Sequence, residues 1–416
     1  MRPALRTTGW ILVASLIVLL AGEVLRVYWI MPFPGSQRGQ TLDLAYALHR
    51  AIWAIRIVAG AVAGAATARL LARGGRFARI ATVAGVAGLG YVAYQANGPM
   101  SADVMFRQPG TLTFTSAREL RTAGSPTLPA NALVVGIELS HPQGATRSRA
   151  YPIRYLGYHH QVRDEVARQE VMVTYCTVCR SGRVYRPLVD GRVESFRLVG
   201  MDHWNAMFED ATTGSWWRQA NGEAVTGPLA GKRLEEIPSR QMTWAAWSAL
   251  HPETEVMNPD PEFAERYARM EGFDEGTNDS ALTGRDPASW AEKSWVVGVV
   301  AGNQSRAFDW NELARDRIIA DRVGDSPVLL LLGADGASFS VFEMRTERDS
   351  AELPLDLEPT ADLSRFRDRT TGTIWSETGI ALDGPDAGAR LQPLAAYQEF
   401  WHSWRTFHPE STARRE

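Results

Sequence analysis

Three long apolar runs dominate the first hundred residues of the chain. The first extends from Trp10 to Gly22 and continues, past two charged residues, to Ile30; the others cover residues 51–68 and 80–97. Each is close to the roughly 20 residues that a helix needs to cross a bilayer. A cleaved signal peptide is disfavoured because two further apolar runs follow the first. The pattern predicts three transmembrane helices within residues 1–98.

The arginines around these runs predict their orientation. Arg2 and Arg6 precede the first run. The connection between the second and third runs carries four more: Arg69, Arg73, Arg76 and Arg79. Positive residues favour the cytoplasmic side of a membrane. With three crossings, everything after about Pro99 is expected to be extracytoplasmic, and the expected location is the bacterial inner (cytoplasmic) membrane.

From about residue 112 the pattern changes to short runs rich in β-branched residues, separated by turn signals. Asp190-Gly191 predicts a hairpin turn, because both residues tolerate the backbone conformation that such a turn needs. The runs predict strands over Ala132–Glu138, Val171–Tyr175, Val193–Val199, Trp295–Val300 and Val328–Leu332.

Helical patterns are fewer in this part of the chain. Thr243–Leu250 and Ala396–Phe407 each end before His-Pro, where the proline disfavours further helix. Residues 258–293 are polar and proline-containing, which predicts a linker with one short helix, Glu262–Glu271.

Several motifs return about 157 residues further along the chain. Gly222–Gly231 resembles Gly379–Gly388, and the pattern Trp-x-x-Trp-x-x-x-His-Pro ends at Pro252 and again at Pro409. An offset held through several motifs indicates a duplicated unit. We therefore predict a tandem repeat, with a first unit over residues 99–257 and a second, degenerate unit over residues 294–416. Reactive residues that only one unit carries are candidates for function.

Composition narrows the class of protein. A chain of 416 residues predicts two or three domains. The net charge of −3, without a basic stripe, excludes nucleic acid as an expected partner. Two cysteines exclude a disulfide-dense scaffold. Several of the fourteen tryptophans recur between the two units, which favours a role in the core.

A cluster of cysteines and histidines is specific to the first unit. Cys176 and Cys179 follow a predicted strand; His159 and His160 lie upstream and His203 downstream. Thiolate and imidazole groups suit zinc, copper or iron, and the Cys-x-x-Cys spacing lets two sulfurs reach one ion. We expect the two cysteines and His159 to be ligands, with His160 or His203 as the remaining ligand or a supporting contact.

Weaker candidates surround this cluster. Met201 is an alternative fourth ligand, and Glu223 and Arg218 are candidates for an acid, a base or an anion contact, since the second unit replaces them with uncharged residues. His402 has no partner in the pattern and is expected to be exposed.

Other interpretations of Cys-x-x-Cys stay open. A redox-active pair of the thioredoxin type normally begins a helix, whereas a strand hairpin is expected after Cys179. Covalent haem attachment needs a histidine where this chain has Arg180. The plainest alternatives are a structural disulfide, which an oxidising outer compartment favours, and two reduced buried thiols.

These motifs resemble a bacterial and archaeal family called domain of unknown function 3179, over roughly residues 112–416. The resemblance implies that His159, Cys176 and Cys179 occupy the family's motif positions, whereas Tyr158 and His160 depart from its Trp-His-Glu pattern. It implies a shared fold and a Cys/His signature, without an established reaction. The matching segments are Ala150–Pro152, Tyr158–Asp164, Val173–Cys179, Thr213–Trp217, Gly222–Pro228 and the Trp-x-x-Trp-x-x-x-His-Pro ending.

Together the observations predict N-terminal transmembrane helices followed by an α+β, β-dominated, tandem-duplicated soluble domain. The expected function is transition-metal binding or thiol redox chemistry outside the cytoplasm. The expected partners are the lipid bilayer and a protein or redox partner in the cell envelope. The alternative is a non-catalytic envelope module that binds a glycan or a protein through its tryptophans.

Overall fold

The computed structural model describes residues 3–37, 39–123, 128–141, 143–347 and 352–414, so Arg2 of the orientation argument lies outside the described residues. The chain divides into two compact units that interleave in sequence. The first unit comprises Met1–Arg107, Glu194–Arg218 and Glu223–Arg233. The second unit comprises Gln108–Val193, Gln219–Gly222 and Leu234–Glu416. The repeat and linker boundaries given above stay predictions.

The described residues form ten α-helices and one short 3-10 helix, Pro261–Phe263. The α-helices are α1 (Pro3–Tyr28), α2 (Leu42–Arg73), α3 (Arg76–Asn97), α4 (Ala102–Met105), α5 (Ala117–Ala123), α6 (Ile153–His159), α7 (Trp244–Leu250), α8 (Ala264–Ala268), α9 (Trp310–Asp316) and α10 (Trp401–Phe407).

Most of the remaining regular structure is β-sheet. The strands up to residue 257 are β1 (Phe114–Ser116), β2 (Leu133–Ser140), β3 (Thr146–Pro152), β4 (Gln161–Val166), β5 (Gln169–Cys176), β6 (Ser181–Arg186), β7 (Leu188–Val189), β8 (Arg192–Val193), β9 (Phe196–Asp202), β10 (Asn205–Asp210), β11 (Trp216–Arg218), β12 (Ala224–Thr226), β13 (Glu235–Glu236), β14 (Ser239–Thr243) and β15 (Glu255–Met257). The later strands are β16 (Trp295–Ala301), β17 (Gln304–Asp309), β18 (Ile318–Val323), β19 (Ser326–Leu332), β20 (Phe339–Thr346), β21 (Leu357–Pro359), β22 (Arg365–Asp368), β23 (Ile374–Ser376), β24 (Ala381–Asp383), β25 (Leu391–Pro393), β26 (Ala396–Phe400) and β27 (Thr412–Ala413).

The first unit contains three helices that are long and apolar enough to cross a membrane: α1, α2 and α3, with 26, 32 and 22 residues. Large apolar side chains such as Trp10 and Trp53 are exposed on them, as lipid-facing side chains would be. On their inner faces, Leu12 and Leu19 of α1 pack against Ala63 and Leu70 of α2. The three predicted helices are confirmed as helices, and the same unit also holds the sheet β12-β11-β10-β9.

The second unit is β-rich, as predicted. Its larger sheets have the orders β1-β15-β3-β2-β14, β13-β6-β5-β4, β26-β16-β17-β27, β18-β19-β20-β25 and β21-β22-β23-β24. Their inner faces carry apolar side chains, which form clusters around Trp247, Phe308 and Trp375. The β-dominated fold class is confirmed.

One order of elements occurs twice in the second unit. The series β2-β3-α6-β4-β5-β6 and β16-β17-α9-β18-β19-β20 match element by element, and β15 and β27 each pair in parallel with the second strand of their series. The residues that follow α6 and α9, His160 and Arg317, both have a left-handed backbone. The recurrence is a fact of the element order, whereas its origin by duplication stays our prediction.

Two local predictions differ from the structure. Ala396–Phe400 is a strand and not a helix, because it pairs along its length with β16, and the helix begins only at Trp401. The sheet partner overrides the local helical pattern there. The predicted linker helix is confined to residues 261–268, and Phe263, Tyr267 and Phe273 of this segment are buried.

Candidate functional site

Cys176 and Cys179 lie at a tight turn in the second unit. Cys176 is the last residue of β5 and pairs with Ser181, the first residue of β6. The four residues between these two strand ends include Cys179, and the turn is closed by a hydrogen bond from the Arg180 amide to the Thr177 carbonyl. Both cysteine side chains are 0% exposed. The strand after the turn was predicted, and it excludes the helix that begins at a thioredoxin-type pair.

Two side chains from the last third of the chain hold this turn. The Lys293 ammonium donates hydrogen bonds to the carbonyl oxygens of Val178, at 2.8 Å, and Leu282, at 2.6 Å. His402 Nε2 lies 3.0 Å from the same Val178 oxygen, and Phe400 donates its amide to the Cys179 carbonyl at 2.9 Å. The turn between the cysteines is therefore fixed by residues that lie more than a hundred positions away in sequence.

Lys293 places a positive charge beside both thiols. Burial lowers the pKa of Lys293, and the neighbouring Cys179 and Cys176 oppose that shift because their negative charge, when ionised, stabilises the ammonium. The attraction is mutual: a cation beside a cysteine favours its thiolate, which is the nucleophilic form of the side chain.

His402 is neutral and buried, and the expectation that it is exposed is wrong. Its side chain is 8% exposed, and burial, with the charge of Lys293, lowers its pKa to about 4. A carbonyl oxygen can only accept a hydrogen bond, so the neutral ring carries its proton on Nε2 and donates it to Val178.

Arg180 anchors the far end of the turn. Its guanidinium lies 3.7 Å from the centre of the Trp295 ring and donates hydrogen bonds to the carbonyl oxygens of Phe273 and Asp274. A third bond, of 2.9 Å, goes to the side chain of Gln398. The guanidinium is completely buried, which lowers its pKa. All three of these hydrogen-bond acceptors are uncharged. They hold the Arg180 guanidinium, and its positive charge, in a fixed position at the residue that follows Cys179.

His160 is joined to the strand that carries the cysteines. His160 Nδ1 lies 2.9 Å from the Tyr175 carbonyl, and the Tyr175 amide donates to the His160 carbonyl. Burial lowers the pKa of His160 to about 4. The neutral ring therefore donates from Nδ1, and its Nε2 carries the lone pair that can bind a metal ion.

His159, which precedes it, lies in a different environment. Its Nε2 is 2.7 Å from the Tyr267 hydroxyl, and its ring meets the Phe263 ring edge-on, with ring centres 5.0 Å apart. The segment predicted as a linker supplies both aromatic partners. The structure thus places His159 beside aromatic and hydroxyl groups, and its role as a metal ligand stays a prediction.

The remaining predicted site residues belong to the first unit. His203 Nδ1 lies 2.7 Å from Asp202, which also accepts a hydrogen bond from Arg218. The bond to Asp202 raises the pKa of His203. Arg218 Nη1 lies 3.7 Å from Glu223 Oε2, so Arg218 joins the two carboxylates. These residues form a connected polar network.

Met201 forms a backbone hydrogen bond within the first unit. Its amide donates to the Ile30 carbonyl, just beyond α1, at 2.7 Å. Across the part of the chain that the structure describes, no three side chains of histidine, cysteine, aspartate or glutamate converge as metal ligands would. The five-residue metal site therefore stays a prediction from sequence.

Sequence reasoning missed Lys293 and His402, although each left a signal. Of the 44 lysine and arginine residues together, only Lys232 and Lys293 are lysines. Because nearly all basic residues of the chain are arginines, a lysine at position 293 is unusual. The pattern Trp401-His402 also differs from its earlier counterpart, Trp244-Ala245.

The fold and this site define a β-rich protein that has a buried cysteine pair and three N-terminal helices long and apolar enough to cross a membrane. Residues 113–411 match the family described as protein of unknown function, DUF3179, and the chain belongs to that family. No curated protein matches the chain, and no solved structure matches it either.

Proposed function

We propose that the protein is a membrane-anchored thiol–disulfide redox protein and that Cys176 and Cys179 are its redox pair. The observation that carries the proposal is the partly buried Lys293 ammonium, which is bound to the turn between the two cysteines and interacts with both thiols. Thiol–disulfide exchange proceeds through a thiolate, and this charge stabilises one.

The reaction is a balanced two-electron step. The thiolate of one cysteine attacks a disulfide in a partner and releases one partner sulfur as a thiol. The second cysteine then attacks the mixed disulfide, which forms the Cys176–Cys179 bond and releases the second partner thiol. The protein loses two protons and two electrons, and the partner disulfide gains them. Because both sulfurs are buried, the turn has to open for this exchange.

Binding of a soft metal ion is the second candidate. Two thiolates are suitable ligands for copper(I), and His160, neutral and joined to the end of the same strand, offers an Nε2 lone pair. The Lys293 charge decides our preference, since an ammonium repels a divalent cation but stabilises a thiolate. Zinc and iron are disfavoured on the same ground.

The non-catalytic binding module is less well supported. It needs exposed tryptophans, but the side chains of Trp244 and Trp401 are 8% and 7% exposed, and those of Trp247 and Trp404 are 1% and 0% exposed. The His408 ring stacks on Trp404, and the His251 ring lies tilted against Trp247, with ring centres 4.1 Å apart. These aromatic residues contribute to the core, as their recurrence in the sequence indicated.

The proposed location is extracytoplasmic. The arginine-rich connection between α2 and α3 favours the cytoplasm, and three crossings would then place the β-rich part of the chain on the opposite side. An oxidising outer compartment would supply disulfide-bonded partners.

The proposal is tested by trapping thiols in cells. Cultures are quenched with acid, free thiols are alkylated with a maleimide of high mass, and the full-length protein is separated by gel electrophoresis. We expect an unmodified, disulfide-bonded fraction that disappears after reduction and is absent in Cys176→Ser. A protein that is always doubly alkylated, with stoichiometric copper after purification, would favour the metal site instead.

A further inference from the structure

A cavity of about 520 Å³ lies within the second unit, beside β14. Residues from both halves of the chain line it, including Trp247 and Leu250 on one side and Phe342 and Leu394 on the other. A volume of this size, with walls that combine apolar side chains and charged or polar groups, lies within the range of small-molecule sites. The cavity is separate from the cysteine turn.

Arg240 is a positively charged residue that lines this cavity. Burial lowers the pKa of Arg240, and the charges of Glu138 and Glu347 oppose the shift. Within the described part of the chain, the Arg240 guanidinium makes neither a hydrogen bond nor an ion pair. Arg240 is half-buried and lines the cavity, so a bound anion would replace water as the partner of its guanidinium. Arg390, at the exposed rim, adds a second guanidinium that the described residues leave without an ion pair.

The same 157-residue offset leads from Arg240 to an equivalent position, where side chains fill the corresponding space. Tyr397 occupies that position; the Arg183 guanidinium covers its ring at 3.4 Å, and its hydroxyl donates to Glu236 at 2.8 Å. Arg183 also pairs with the buried Glu399.

On the Arg240 side, these filling groups are replaced by smaller ones. The residues 157 positions after Arg183 and Glu236 are Ser340 and Pro393. Pro393 lines the cavity, and Ser340 lies next to Arg240 in a small recess beside it. The space that an arginine and a glutamate fill on one side is left open on the other, and an unpaired arginine faces it.

We propose that this cavity binds a small organic carboxylate with an apolar body. The carboxylate would accept a bidentate pair of hydrogen bonds from Arg240, and the body would pack against Phe342 and Leu394. Glu138 and Glu347 limit the negative charge that the cavity accepts, so a monoanion fits better than a phosphate dianion.

The test uses benzoate as the probe and benzamide as its uncharged counterpart. Binding to the purified full-length protein in detergent is measured by calorimetry for wild type, Arg240→Gln and Arg367→Gln. Arg367 is exposed and lies outside the cavity, so its variant is the matched control. We expect benzoate to bind wild type and Arg367→Gln equally, a loss of at least 10-fold in Arg240→Gln, and much weaker binding of benzamide.

A second variant keeps Arg240 in place. Ala395 is an exposed residue at the cavity, and Ala395→Trp would fill the opening without removing a buried group. Its benzoate binding should be lost as well, with an unchanged melting temperature. The proposal is overturned if wild type does not bind benzoate, if benzamide binds as well as benzoate, or if Arg240→Gln retains full affinity.

Discussion

The Lys293 ammonium donates a 2.8 Å hydrogen bond to the carbonyl oxygen of Val178, which lies between the two cysteines in the chain. His402 donates to the same oxygen. One carbonyl thus brings together the turn of the first series and two side chains that follow more than a hundred residues later. The cysteine site is therefore a product of tertiary structure, although its cysteines are local in sequence.

Removal of the Lys293 charge should make both thiolates harder to form. In Lys293→Gln the attraction between ammonium and thiolate is absent, so the thiolate absorbance of the folded protein near 240 nm should rise at higher pH. A displacement of about one pH unit corresponds to roughly 1.4 kcal/mol of electrostatic stabilisation. The measurement is a pH titration of ultraviolet absorbance, corrected with Cys176→Ser Cys179→Ser.

Lys232→Gln is the control for this titration, because Lys232 is exposed and is the other lysine of the chain. Its curve should coincide with that of wild type. Equal curves for Lys293→Gln and wild type would show that the ammonium does not act on the thiols.

His402 should make stability fall in mild acid. Its folded-state pKa is about 4, below the ordinary value of 6.5, so between these values the unfolded chain binds a proton that the folded chain does not. This contribution is fully present above pH 6.5 and is lost as the pH falls towards 4. The loss amounts to about 3 kcal/mol at most. Urea unfolding at a series of pH values, followed by tryptophan fluorescence, measures it.

The His402→Gln variant should lose less stability than wild type over that pH range. Asp274 acts in the opposite direction, since burial raises its pKa to about 6, but it is present in both proteins and cancels in the comparison. Parallel pH profiles for wild type and His402→Gln would refute the assignment.

Two glycines should be intolerant of a methyl group. A Cβ at Gly136 would meet the ring of Trp247, and a Cβ at Gly298 would meet the ring of Trp404, both inside the core. Overpacking of this kind costs about 1–3 kcal/mol. Gly136→Ala and Gly298→Ala should each lower the melting temperature, whereas Gly110→Ala, with open space around it, should not. Unchanged melting temperatures for the first two would contradict the packing.

Much of the fold could be predicted from sequence because its signals are local. Runs rich in β-branched and other apolar residues at Ala132–Glu138 and Val328–Leu332 predicted the strands β2 and β19, and Asp190-Gly191 predicted the turn between β7 and β8, where both residues have positive φ. Ala396–Phe400 could not be predicted in this way, because its pairing with β16 overrides the local pattern.

Only part of the candidate site could be predicted from sequence, because the rest depends on long-range contacts. The spacing of Cys176 and Cys179 is local, but the roles of Lys293 and His402 depend on which side chains the fold brings to the Val178 carbonyl. His159 adds a second example. Its motif position predicts a ligand, which stays a prediction, and its contact with the Tyr267 hydroxyl comes from a segment that was predicted to be a linker.

Membrane orientation can be measured with two single cysteines in the Cys176→Ser Cys179→Ser background. Ser280 is exposed in the β-rich unit, and Ala72 lies near the arginine-rich end of α2. The two variants are Ser280→Cys and Ala72→Cys. A membrane-impermeant maleimide applied to spheroplasts should label Ser280→Cys before lysis and Ala72→Cys only after it, because positive residues favour the cytoplasm. The reverse pattern would contradict the proposed topology.

The most direct measurement is a redox titration of the purified full-length protein. The protein is equilibrated in thiol–disulfide buffers, and the fraction with a Cys176–Cys179 bond is read by mass spectrometry after alkylation. We predict a single reversible two-electron transition, within the range of roughly −120 to −300 mV spanned by known thiol–disulfide proteins and structural disulfides, that is displaced in Lys293→Gln. Thiols that stay reduced across this range, or a bond that never reduces, would contradict the redox function.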